Sequence, residues 1–518
     1  MGLGDQARSF WRLKIHQARG SVRSFAAGST GVTLDLATES SHSAELRSTT
    51  DRLAGESCQE ITEQPRIALL TPYEGGNLGD AAIQDAMIAN LRLRLSGAQF
   101  SGVCLNCNNF VERHGAGAFP LCGTNRPFYR MSSWTLGGPT GQGQSLMPET
   151  NQKGLNAALI KREFKRVPGL WKCLKTGHAW VTGPWREIRH WFQAYRFVRT
   201  QDLLVVSGGG QLDEEWGGAW GHPFALFKWA VLARLARIPY VMASVGAQKA
   251  VSTASRLFMS TALRLASYRS YRDKNSREVA VGLLKRAAED PIVPDLALSV
   301  PYSELPSRVD LRNLAKGRRV VGISPIAYAK PGRWPNQDRG LYERYVRQMS
   351  EVLSQLLKRE YFLVLVWSSI GDDESVIPEL LGHLDRDAMQ RLTRQVHIPA
   401  ITTWRDLFAL LLDTDVLIAS RLHSTILGFV AQRPTVAISF DPKVDWVMED
   451  LGQTDYLLRI RDFTAAEVIE ALERIELRRN AIIEGIGAYR DAILPALASQ
   501  YDALAELAMA GRYGNTSP

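Results

Sequence analysis

From residue 66 the chain settles into short apolar runs separated by longer amphipathic stretches. "RIALLTPY" is a continuous apolar run bounded by turn residues, as expected of a strand buried on both faces. In "AAIQDAMIANLRLRL" Ile83, Met87, Leu91 and Leu95 recur at helical spacing, so strand and helix together open a βαβ unit. The strand "DLLVVS", the helix "FALFKWAVLARLA" and the strand "PYVMASVGA" continue the alternation through "YRSYRD" and "PIVPDLAL". Near 301–318, "PYSELPSRVDLRNLAKGRR" interrupts it with proline and charge. A second series then follows: "VVGISPIAY", "YFLVLVWSS", "VHIPA", "DVLIAS" and "TVAISF". Each series predicts a doubly wound parallel sheet. The expected fold class is therefore α/β, with two Rossmann-like domains facing a cleft and the helices after 463 packing on or bridging them.

This pattern divides the chain into an N-terminal extension (1–62), a first domain (63–305) and a second domain with the terminal helices (306–518). The extension is rich in Ser, Thr and Glu and reads as flexible or loosely helical. An insertion at about 100–200 interrupts the first domain. Residues 101–150 are rich in Gly, Pro and polar residues without periodicity, which reads as a loop. The basic stretch 161–199 carries Trp171, Trp180, Trp185 and Trp191, consistent either with an interfacial helix or with helix core mixed with solvated charge.

Composition narrows the classes. The chain has 518 residues, 45% hydrophobic and 22% charged, enough for a sizeable core in more than one domain. Five cysteines, Cys58, Cys104, Cys107, Cys122 and Cys173, are odd in number and fit a reducing compartment, so a cytoplasmic location is expected. Cys104-x-x-Cys107 with His114 and Cys122 lacks a standard zinc spacing, and no metal site is expected. The N-terminus has no continuous apolar segment, so neither a secretory signal nor a membrane span is expected there. A net charge of +9 favours anionic surroundings, whether a phosphorylated substrate or a phospholipid face. The basic residues are dispersed rather than built into a nucleic-acid module, so no nucleic-acid partner is expected.

In "SRLHSTILGFVAQRPTVAISFDPKV" two predicted parallel strands end in Arg421 and His423, and in Asp441 and Lys443. Parallel neighbours lie roughly 5 Å apart, so these side chains can converge on one small ligand. Open α/β sheets bind ligands at the carboxyl ends of their strands, and the N–H groups of the helix beginning near Ser424 suit a phosphate or carboxylate. Strand-end charges also serve as caps, and Asp441 could pair with Arg421 or Lys443. In the first domain, "GGNLGDAA" (Gly75, Gly76, Asn77, Gly79, Asp80) forms a glycine turn into a helix. Asp80 is either the helix N-cap or a carboxylate facing the cleft. "SGGGQLDEE", with Gly208 and Gly209, permits close ligand approach or close packing. "SYRDKNS" places Arg272 at another strand end, where it can clamp an anion, beside Asp273 as a helix cap.

Taken together, "GNLGDAAI", "SGGGQL", "YRDKNS" with "VPDLAL", and "SRLHS" with "AISFDPKV" resemble the polysaccharide pyruvyl transferases over roughly residues 66–460. The resemblance skips most of 100–200. It implies a GT-B-like fold and transfer of the enolpyruvyl portion of phosphoenolpyruvate onto two hydroxyls of a sugar, giving a pyruvate ketal. It also implies His423 as general acid, Arg272, Arg421 and Lys443 as holders of the donor's phosphate and carboxylate, and Asn77 and Asp80 as cleft residues. The expected partners are phosphoenolpyruvate and a saccharide acceptor, which many relatives carry on a polyprenyl lipid, with peripheral contact to the inner face of the cell membrane. The chemistry needs no cofactor. The proton acceptor is Asp80 or Asp441, and the sequence does not choose between them. A GT-B-type glycosyltransferase using a nucleotide sugar shares the two-domain plan; a non-catalytic saccharide-binding relative would have no use for His423.

Overall fold

The computed structural model describes residues 64–123, 185–214, 217–285, 289–301 and 310–516. Two six-stranded sheets carry the fold, and every strand pairing in them is parallel. The first comprises β1 (Arg66–Leu70), β2 (Gln99–Cys104), β3 (Gly117–Pro120), β4 (Leu203–Ser207), β5 (Tyr240–Val245) and β6 (Tyr268–Tyr271), ordered β3-β2-β1-β4-β5-β6. The second comprises β7 (Val320–Ser324), β8 (Phe362–Leu365), β9 (Val396–His397), β10 (Val416–Ala419), β11 (Thr435–Ser439) and β12 (Leu457–Arg459), ordered β12-β11-β10-β7-β8-β9. Counted from its own first strand, each sheet has the doubly wound order 3-2-1-4-5-6. Connections therefore diverge between β1 and β4, and again between β7 and β10, which opens a crevice at each carboxyl edge.

The central strands form because every position in them is apolar or small and is covered on both faces. β4, β7, β10 and β11 are buried throughout. Each Val, Leu or Ile so enclosed contributes about 1.5–3 kcal/mol relative to exposure.

Three local readings of the sequence change. Residues 101–150 do not all leave the sheet, because β2 runs to Cys104 and is followed by the helix Cys107–His114 and the edge strand β3. β3 is only half-buried, which explains why its pattern is faint. "PIVPDLAL" is not a strand: Pro291 and Pro294 have no N–H to donate, and the segment makes a single bridge, Tyr271 to Ile292, before a 3-10 turn at Leu296–Ser299. β12 adds a strand that the pattern did not announce.

Part of the tryptophan-rich stretch belongs to the first domain. A helix over 185–198 packs there through Trp191 against Phe224, and its Glu187 accepts a 2.8 Å hydrogen bond from the buried Lys228. Trp171, Trp180, Cys58, Cys173 and the extension 1–62 lie outside the described residues.

The last helix, Ala465–Thr516, bridges the two domains. Its Glu476 pairs with Arg319 at 2.7 Å in the second domain. Further along, Tyr501 meets the Ser299 hydroxyl at 2.7 Å and Gln500 donates to Ser244 at 3.0 Å in the first. The domains also meet directly at the cleft floor, where Leu78 N–H donates to Ser368 O at 2.8 Å and Ile370 N–H to Gly76 O at 2.9 Å. On the flank, Asp85 of the first domain accepts from Trp404 Nε1 and Arg405 Nη1 of the second, each at 2.7 Å.

Candidate active site in the interdomain cleft

The turn after β1 enters the helix Leu78–Arg94 through Asn77, whose side chain accepts from Gly79 N–H at 3.1 Å. Asn77 is thus the N-cap, and Asp80 lies in the first turn, released from capping. Gly79 has a steric reason: a Cβ there would stand 1.9 Å from Cγ of His423. The imidazole of the second domain occupies the space of the missing side chain.

His423 opens the helix Leu422–Val430 after β10, and no side chain caps that helix. Its Nε2 is buried and has no hydrogen-bond partner. Ser424 is taken up by the Ser324 hydroxyl at 2.7 Å. Arg421 turns to the fully buried Asp373, with Nε and Nη2 donating at 2.8 and 2.9 Å, and its guanidinium stands 5.6 Å from the Trp334 ring centroid. A bidentate pair of this kind fixes the orientation of the β10 turn.

From β6, Arg272 reaches the cleft with Nη1 3.3 Å from Asp295 and Nε 3.5 Å from Asp273. Its Nη2 is buried without a partner. Room for it depends on Gly246, where a Cβ would sit 2.7 Å from Nη2. Asp273 caps the helix Lys274–Leu284 by accepting from Ser276 N–H at 2.7 Å.

The glycine turn after β4 passes over the same space. Gly208 and Gly209 have φ of 52° and 69°, the left-handed region that favours glycine. Gln211 donates to Gly208 O at 2.6 Å and Gly246 N–H to Gly209 O at 2.7 Å, which holds the loop in place. A Cβ at Gly209 would lie 3.5 Å from Asp80 Oδ1. Beyond it, Lys443 Nζ is 3.7 Å from Asp213. Asp441 caps the helix Pro442–Asp450 by accepting from Lys443 N–H at 2.9 Å, and also accepts from Gln248 Nε2 of the first domain at 3.3 Å.

Asp80 is the electrostatic centre of this cluster. Burial pushes its carboxyl above the ordinary value; the charges of His423, Arg272 and Arg421 pull it back, and Asp295 adds to the rise. The cleft therefore gathers Asp80, His423, Arg272 and Arg421 around one point, with Lys443 and Asp441 alongside. Asp295, Asp373 and Asp213 were not anticipated. Asp295 lies within "VPDLAL", and Asp373 opens the 3-10 turn Asp373–Val376 well beyond the end of β8, so the strand-end rule marks neither. Cys104 and Cys107 are free thiols, and His114 lies 3.7 Å from Asp85. Among the described residues no group of three or more potential ligands is placed to hold a metal.

Fold and site define a two-domain, GT-B-like α/β protein with a cation-lined interdomain cleft. The chain belongs to the polysaccharide pyruvyl transferase family, whose model matches residues 77–442, and it is thereby a transferase acting on polysaccharide. No curated protein sequence matches it. Among solved structures it is similar to the S. aureus MnaA–UDP co-structure (8% identity, TM-score 0.47, 82% of this chain and 90% of that one). It is also similar to a glycosyltransferase from Rickettsia africae (9%, 0.45, 86% and 99%) and to E. coli ADP-heptose lps heptosyltransferase II (13%, 0.38, 80% and 99%).

The raised carboxyl of Asp80 has a stability consequence whose sign is the reverse of the usual carboxylate case. Ionised Asp80 costs the folded state above its folded pKa, and that cost vanishes below the ordinary carboxylate value, where both states are protonated. Asp80→Asn is expected to melt at a higher temperature than wild type at pH 7, with the gap closing as pH falls toward 4, the ordinary carboxylate range. Thermal melts across that range check it; a wild type more stable at pH 7 would mean that the surrounding cations overcompensate burial.

Proposed function

We propose that this transferase moves the enolpyruvyl group of phosphoenolpyruvate onto two hydroxyls of one sugar, forming a pyruvate ketal and releasing phosphate. The observation that carries the reading is the pair of buried, unpartnered polar atoms, His423 Nε2 and Arg272 Nη2, both beside Asp80. A buried polar atom without a partner is costly, and an anion between the domains would satisfy both. Arg272 and Lys443 supply cationic donors for a phosphate and a carboxylate, and the uncapped helix behind His423 adds N–H groups of the right polarity. Arg421 contributes to the field while being held by Asp373.

In this mechanism His423 gives a proton to C3, so that the methylene becomes a methyl and C2 acquires positive character. One sugar hydroxyl then bonds to C2. A second hydroxyl of the same sugar bonds to C2 as the C2–O bond to phosphate breaks. Of the two hydroxyl protons, one replaces that delivered to C3 and the other leaves with phosphate or on a carboxylate. Asp80, which burial has made more basic than an ordinary carboxylate, is the better placed of the two candidates to take it; Asp441 already accepts two hydrogen bonds.

His423→Ala and His423→Gln are each expected to fold and to lose turnover, since an amide cannot supply the proton. Phosphate release and thermal melting measure this, and near-normal turnover in a well-folded variant would remove the assignment. Arg272→Ala and Lys443→Ala are expected to weaken phosphoenolpyruvate binding by roughly one to two decades, the equivalent of about 1.5–3 kcal/mol for a lost charge-assisted contact. Calorimetric titration of the donor reads this directly; unchanged donor affinity with a raised acceptor KM would reverse the roles.

Peripheral docking on an anionic membrane extends the reading to a lipid-carried acceptor. Three helices of the first domain, 185–198, His222–Ala236 and Thr253–Leu265, join through contacts among Trp191, Trp220, Phe224 and Phe258. Trp185 and Phe192 are each 69% exposed on the first of them, which also carries Arg186, Arg189 and Arg196. Aromatics beside arginines suit a headgroup interface, where each cation contributes about 1 kcal/mol. No helix among the described residues is long and apolar enough to cross a membrane. Wild type is expected to co-sediment with phosphatidylglycerol vesicles in a salt-sensitive way. A variant combining Trp185→Ser, Phe192→Ser, Arg186→Gln and Arg189→Gln should not. Equal binding to phosphatidylcholine vesicles, or none to either, would favour an acceptor free of the membrane.

A further inference from the structure

Beside the cation cluster the cleft holds a cavity of about 340 Å³ that the chemistry above does not use. The second domain gives it an aromatic wall. Tyr328, Trp334 and Phe440 lie in mutual contact, with ring centroids 5.2, 5.4 and 5.8 Å apart. The first domain contributes polar lining, chiefly Asp213 and Gln248, and Asp441 stands between the two. The volume falls at the small end of the roughly 300–1,000 Å³ usual for ligand pockets, and apolar walls with a few placed polar groups are the usual lining.

We propose that this cavity holds a pyranose ring of the acceptor, its C–H face on the Trp334 ring, its rim against Phe440, which stands perpendicular to Trp334, and its edge hydroxyls donating to Asp213 and Asp441. The proposal rests on the pyruvyl transfer reading and adds where the acceptor binds. Three observations point the same way. Phosphoenolpyruvate is disfavoured by charge, because Asp213, Glu214 and Asp441 line the cavity against a single lining cation, Lys249. Neutral hydroxyls are donors and suit carboxylate acceptors.

The cavity also adjoins the donor groups. Lys443 stands 3.7 Å from Asp213, and the Arg421 guanidinium lies over the Trp334 ring at 5.6 Å from its centroid, so a sugar held between Asp213 and Trp334 has both cations close by. The mouth leads outward, because Val251, which lines the cavity, is 83% exposed and starts the loop into the helix Thr253–Leu265 of the aromatic and basic face. A sugar carried at a membrane surface would enter from that side.

Saturation-transfer NMR on the full chain, with methyl β-glucopyranoside and methyl β-galactopyranoside as probes and no phosphoenolpyruvate present, tests the inference apart from catalysis. Saturation of the pyranoside ring protons is expected with wild type and with Trp334→Phe, which keeps the stacking surface. It should be lost in Trp334→Ala, and weakened in Asp213→Asn, which guards against a folding defect at Trp334. In the catalysed reaction Trp334→Ala should raise acceptor KM roughly tenfold to a hundredfold, the scale of a lost stacking contact, while phosphoenolpyruvate affinity holds. No saturation from either pyranoside with wild type, or signals that survive in well-folded Trp334→Ala, would overturn the proposal. Displacement of the pyranosides by UDP would also overturn it, in favour of a nucleotide pocket. If pyranosides bind as expected but phosphoenolpyruvate does not bind at all, the donor assignment fails and the saccharide pocket stands.

Discussion

The imidazole of His423 fills the space left by the absent side chain of Gly79, and the geometry of the cleft follows from that contact between domains. A helix start in one Rossmann-like domain is brought against a helix start in the other, so the carboxyl edges of both sheets open onto one cleft. The backbone exchange between Gly76–Leu78 and Ser368–Ile370 holds that approach in register. Asp80, one residue beyond Gly79, stands beside that histidine, and burial lifts its carboxyl above the ordinary range. The missing Cβ thus makes room for the histidine beside that carboxylate.

Around this contact, paired charges act as struts. Asp373 orients Arg421, Asp295 orients Arg272, and Asp213 and Asp441 stand beside Lys443. A buried ion pair adds little net stability because desolvation offsets its attraction, but it fixes geometry once formed. The cations are therefore arranged with some capacity unspent, most plainly at Arg272 Nη2. This is the preorganisation that anion binding requires, since side-chain ordering has been met by folding rather than by the ligand.

The last helix and the Asp85 cluster bear on the same cleft from further away. Asp85 accepts from both Trp404 and Arg405 across the domain boundary, and the helix Ala465–Thr516 returns from the second domain to Ser244 and Ser299 of the first. Each tie limits how far the domains can separate. Domain pairs without such ties move by default, so these contacts set the range of opening available to a substrate.

The sequence by itself determined the two doubly wound sheets, because strands buried on both faces must be continuously apolar and the helices between them must repeat at 3.6 residues. It also determined the chemical character of the edges, since charged residues directly after such strands have to emerge at the carboxyl side. That made Arg272, Arg421, His423, Asp441 and Lys443 legible as edge residues, while the glycine turns pointed to Asp80 and to Gly208 and Gly209. It could not say that Asn77 rather than Asp80 caps the helix, for both types cap equally well. It did not show that β3 lies within the supposed insertion, for β3 is a half-solvated edge strand and loses its pattern. Only the tertiary structure decided which edge meets which. Partners such as Gly79 with His423, Arg421 with Asp373, or Trp334 with Phe440 are separated by tens to hundreds of residues, and local periodicity carries no information about them; the first is fixed by how the two domains close, the other two by how the second domain packs.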